Sequence, residues 1–68
     1  MTIELNGSHC ELPDGAMLEA AIALSGVHES RRGVAVAVDG EVVPRAEWEQ
    51  TTLADGAKVE VLQAVQGG

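Results

Sequence analysis

Residues able to act as nucleophile, base or metal ligand are few in this 68-residue chain, and their spacing argues against a catalytic constellation. His9 and Cys10 are adjacent in an alternating stretch, so on a strand their side chains point to opposite faces, which argues against a Cys–His nucleophilic pair. His28 stands alone in a polar connection, and the His and Cys positions lack the spacing of a zinc site. Glu47 and Glu49 flank Trp48 on a polar segment, where a solvated face accounts for them better than acid–base work. Asn6-Gly7, Asp39-Gly40 and Asp55-Gly56 read as hairpin turns, not as a phosphate-cradling loop.

What remains is the pair Gly67-Gly68 at the end of the sequence. At average glycine usage such a pair would arise by chance in about one chain in 200. Without Cβ atoms, a tail like this can thread a channel that excludes side chains. It would carry the Gly68 carboxylate into a partner's active site. A carboxylate resists nucleophiles for want of a leaving group. Attack of its oxygen on the α-phosphate of ATP would give an acyl-adenylate and expel pyrophosphate. The mixed anhydride can then accept sulfur to become a thiocarboxylate, or an amine to become an isopeptide. The residues therefore predict a carboxylate carrier or conjugator that is acted on, rather than an enzyme, with shape and recognition as the domain's contribution.

Composition agrees. Four basic residues face eleven acidic ones, a net charge of −7, which repels nucleic acid and anionic membrane surfaces and favours basic protein partners. With no Phe, no Tyr and one Trp, the core must be aliphatic and no aromatic platform exists for stacking bases. No run approaches the roughly 18 apolar residues of a membrane span. The first residues lack the basic flank and apolar stretch of a signal peptide, and the lone Cys10 excludes an internal disulfide. A cytoplasmic location is the expectation. A chain this short buries only about 60% of the surface it would expose unfolded, so its core is thin.

The elements that must position the tail follow from periodicity. Thr2 to Asn6 alternates as a half-buried strand, Asn6-Gly7 turns it, and His9 to Leu12 returns. A helix is predicted from about Ala16 to Ser25, with Leu18 and Ile22 on one face, Asp14 as N-cap or first-turn acid and Gly26 as C-terminal cap. Val34 to Val38 and Glu41 to Val43 form a second hairpin, which Pro44 stops. Arg45 to Thr52 is predicted as a turn or single-turn helix, with Trp48 folding back over the core edge, and Lys58 to Leu62 as the last strand. One helix on one face of a mixed five-stranded sheet is the α+β layout of a β-grasp, or ubiquitin-like, domain. Residues 1–64 form that domain and 65–68 the tail. The other sheet face has nothing to cover it, and Leu62, Ala64 and Val65 are the expected partner-docking residues.

Val43-Pro44-Arg45 followed by Trp48, then Asp55-Gly56, a strand, Gln63 and Gly67-Gly68 resemble the ThiS family of thiamine-biosynthesis sulfur carriers, over essentially the whole chain. The opening Ile3-Glu4-Leu5-Asn6-Gly7 also fits. The resemblance implies adenylation of Gly68 by an E1-like adenylyltransferase of ThiF or MoeB type. A sulfur donor system then makes the thiocarboxylate, and a ThiG-type thiazole synthase takes the sulfur. No cofactor is bound by the carrier; ATP is consumed by the partner. The chain departs from the family near Leu62, where an aromatic is frequent, and at Gln66, where a small residue often precedes the glycines. Gln66 is bulkier at the channel mouth that the resemblance implies for the threading tail. Arg45 and Trp48 are read as structural, the Trp closing the core and the Arg holding the turn. Alternatives are a MoaD-like carrier for molybdopterin synthesis, a ubiquitin-like modifier of lysines, and an interaction domain whose Gly-Gly is incidental.

Overall fold

The computed structural model describes residues 1–27 and 33–63. Strands β1 (Thr2–Leu5) and β2 (Ser8–Glu11) pair antiparallel, with Ile3 opposite Cys10. Asn6 and Gly7 between them both take positive φ, 48° and 84°. A two-residue turn matched to strand twist demands that, and Asn and Gly reach the region most easily. The same device, Asp39-Gly40, joins β3 (Val34–Val38) to β4 (Glu41–Val42).

The third expected hairpin is a correction. Asp55-Gly56 lies between an isolated bridge at Thr52 and strand β5 (Lys58–Gln63), so it joins no pair of strands. Its Ala57 N–H closes onto the Ala54 carbonyl at 3.0 Å, with Gly56 at positive φ. Thr2, on the adjacent strand β1, holds this turn. The Thr2 N–H donates to Asp55 Oδ1 at 2.8 Å, and the Thr2 carbonyl accepts from the Gly56 N–H at 2.7 Å.

The sheet order is β2-β1-β5-β3-β4. β5 runs parallel to β1 and antiparallel to β3, which makes the sheet mixed. Helix α1 (Leu18–Leu24) packs on one face through Leu18, Ala21 and Ile22, spaced for a single apolar stripe. Those side chains meet Ile3, Val36, Val59 and Val61 in the core. Each fully buried aliphatic contributes about 1.5–3 kcal/mol relative to exposure. This is a β-grasp fold.

The helix is shorter than its sequence pattern. Residues 16–18 pair with the 51–53 segment instead: Leu53 N–H reaches the Ala16 carbonyl at 2.9 Å and Leu18 N–H the Thr51 carbonyl at 2.8 Å. That second bond satisfies an orphan donor of the helix start, so Met17 caps without a side-chain bond. Asp14 is not the cap; its carboxylate lies 3.1 Å from the Met1 amino group. The C-terminal end matches the sequence. Ser25 caps, Gly26 takes φ 85°, and the Ser25 hydroxyl donates to the Ile22 carbonyl at 2.6 Å.

Arg45–Gln50 forms a 3₁₀-helix. Trp48 on it is not at the core edge but inside the core, 2% exposed. Without Phe or Tyr, this one indole fills volume that aliphatics do not. Val43 falls outside β4, although its N–H still donates to the Val36 carbonyl at 2.8 Å.

Candidate functional site

Among the tail and docking residues expected from sequence, Ala64, Val65, Gln66, Gly67 and Gly68 lie outside the described residues, as does His28. Leu62 is described. It sits on β5 with its side chain on the face away from the helix, 66% exposed.

Strand alternation explains its position. Val59 and Val61 point to the core, so Lys58, Glu60 and Leu62 point to the open face. Leu62 pairs with Ala35 on β3; Ala37 pairs with Glu60 on one side and with Val42 on the other. Leu62, Ala35, Ala37 and Val42 therefore share the uncovered face, and Val42 is 75% exposed. Sequence reasoning did not single out the last three. The signal was present in Val34-Ala35-Val36-Ala37-Val38: the valines face the helix, and the alanines leave the outer surface low and apolar.

The other half of that face, on β1 and β2, is polar. Glu4 pairs with His9 across the strands, and Lys58 Nζ lies 3.9 Å from Glu4 Oε2. Thr2 Oγ1 donates to Glu11 Oε1 at 3.3 Å. Thr2, Glu4, His9, Asp55 and Gly56 line a shallow cleft here. His9 is exposed on this face, while Cys10 packs against the core, so the two do not act together. Among the described residues, no three His, Cys, Asp or Glu side chains gather to hold a metal ion, and no helix is long and apolar enough to cross a membrane.

The Val43-Pro44-Arg45…Trp48 element is structural. Trp48 Nε1 donates to the Val43 carbonyl at 2.8 Å, and the Arg45 guanidinium lies 4.7 Å from the centre of the indole ring. The bond closes the loop from β4 into the 3₁₀-helix, and the stacked cation covers the ring's outer side.

These features define a small β-grasp protein with one open, partly apolar sheet face next to the strand that leads to Gly67-Gly68. The ThiS family model matches residues 2–68, and the chain belongs to that family of thiamine-biosynthesis sulfur carriers. It is similar to the thiamine biosynthesis protein ThiS of Geobacter metallireducens, whose crystal structure superposes with a TM-score of 0.78 at 27% identity, covering 100% of both chains. A solution NMR structure of a thiamine biosynthesis protein from the same organism gives a TM-score of 0.77 at 27% identity, covering 100% of this chain and 88% of that one. No curated protein sequence matches the chain.

Proposed function

We propose that the chain carries sulfur as a thiocarboxylate on Gly68, in the cytoplasm, for assembly of the thiazole of thiamine. The observation that carries this reading is the family match, which extends through the terminal Gly67-Gly68 to residue 68. The uncovered face around Leu62 supports it, because a carrier must be recognised by several enzymes in turn and needs accessible apolar area.

The chemistry is stepwise. A Gly68 carboxylate oxygen attacks the α-phosphorus of ATP in an E1-like adenylyltransferase of ThiF or MoeB type. A P–O bond forms, and the bond to pyrophosphate breaks. Sulfur delivered at the sulfide level by a donor system attacks the acyl carbon, a C–S bond forms, and AMP leaves with the former carboxylate oxygen. The thiocarboxylate delivers its sulfur in a ThiG-type thiazole synthase: the acyl C–S bond breaks, and an oxygen from the sulfur acceptor or from water takes its place and restores the carboxylate. The carrier contributes position. Gly67 and Gln66 form the segment that enters the partner's channel, while Leu62, Ala64 and Val65 meet its outer surface.

Incubation with the adenylyltransferase and ATP tests the first step. Pyrophosphate release that depends on the carrier is expected; an enzyme active on its own carrier but silent with this chain would reject the reading.

A further inference from the structure

The Asn6 side chain does more than occupy a turn. Parallel pairing of β1 with β5 includes bonds from the Glu4 N–H to the Ala57 carbonyl and from the Asn6 N–H to the Val59 carbonyl, each 2.9 Å. Continued at the same spacing, the Val61 N–H would need the Asn6 carbonyl, and the Val61 carbonyl would need the N–H of residue 8. The positive φ of Asn6 and Gly7 instead turns the backbone away into β2. The Asn6 carboxamide supplies both contacts. Oδ1 accepts from the Val61 N–H at 2.8 Å, and Nδ2 donates to the Val61 carbonyl at 3.2 Å. One planar amide replaces the missing stretch of strand.

Val61 is the last buried residue of β5 before the chain runs out through Leu62 and Gln63. We infer that Asn6 is a positioning residue: its grip on Val61 sets where the chain leaves the sheet on its way to Gly68. The inference rests on the carrier reading. Without the carboxamide, the end of β5 keeps its pairing with Ala35 and Val34 of β3 but loses this attachment on the β1 side. The end of β5 must then be fixed each time the Gly68 carboxylate enters the activating site, and that entropic cost falls on association.

The fold contains a matched control. Asp39 also has positive φ, 51°, and its Oδ1 accepts from the Lys58 N–H at 3.0 Å. It grips the same strand by a turn side chain, but at the start of β5, away from the tail.

Asn6→Gly keeps the positive φ and deletes the grip. Asn6→Asp keeps the turn and an acceptor for the Val61 N–H, but sets a carboxylate oxygen against the Val61 carbonyl. Asp39→Gly removes the equivalent contact at the far end. Pyrophosphate release by the adenylyltransferase is measured against carrier concentration, alongside each variant's Tm. Asn6→Gly is expected to raise KM about tenfold with kcat within about twofold of the parent. Asp39→Gly is expected to lower Tm comparably with KM unchanged. An unchanged KM in Asn6→Gly, or equal increases in both glycine variants, would overturn the inference in favour of a stability effect. Should Asn6→Gly fail to fold, Asn6→Asp decides by the same criterion. A parent chain that gives no pyrophosphate would overturn the carrier reading itself, and this inference with it; failure confined to the variants' pattern overturns the Asn6 role alone.

Discussion

Trp48 donates its indole N–H to the Val43 carbonyl at 2.8 Å, so the chain's one aromatic ring is fixed both by burial and by a bond to the strand end that precedes it. Pro44 lies between them at φ −60°, extending the backbone into the 3₁₀-helix that carries the ring. The Val43-Pro44-Arg45…Trp48 element is thus a device for closing the core.

Trp48→Phe should destabilise the fold by about 1–3 kcal/mol, through lost volume and the unmade hydrogen bond. Arg45→Ala should cost no more than about 1 kcal/mol, because Arg45 is exposed and a cation stacked on a ring at such a site is worth about that much. Urea unfolding followed by circular dichroism measures both, since Trp48→Phe removes the fluorescent probe. Equal losses would contradict the division of roles.

Leu62→Glu should leave stability within about 0.5 kcal/mol, as expected for an exposed side chain. It should nonetheless raise KM for the adenylyltransferase about tenfold or more if Leu62 is a buried anchor of the complex. Val42→Glu tests whether the docking area extends across the strip to β4. Loss of stability in step with loss of binding would return Leu62 to the core.

Removing Gly68 should leave the unfolding midpoint unchanged, because the packed elements end at Gln63 among the described residues. Modification should disappear. Continued thiolation of the shortened chain would move the site elsewhere.

Association with a basic partner surface should slow with salt. A net charge of −7 predicts an on-rate about tenfold lower at about 0.5 M than at about 0.05 M ionic strength. A salt-independent rate, by stopped-flow fluorescence of Trp48 or a label, would mean that the acidity serves solubility alone.

The sheet was legible because its signals are local. Asn6-Gly7 and Asp39-Gly40 encode their turns directly, and β5 alternates cleanly between Val59, Val61 and their exposed neighbours. The helix start was not, because residues 16–18 are diverted into pairing with 51–53, a contact between distant segments that overrides a favourable local pattern. Asp55-Gly56 misled for a related reason: its partner is Thr2, at the other end of the chain. In the candidate site, Leu62 was readable from strand period, but the Ala35, Ala37 and Val42 strip needed the pairing register. Asn6 reads from sequence as a turn former only, since nothing local reveals that its amide reaches Val61.

The central claim is that Gly68 carries sulfur, and the mass of the intact chain tests it most directly. After incubation with the adenylyltransferase, ATP and a sulfur source, the account predicts a gain equal to exchanging one carboxylate oxygen for sulfur, located by fragmentation to the terminal glycine. An unchanged mass, with the same enzymes demonstrably thiolating their own carrier, would contradict it.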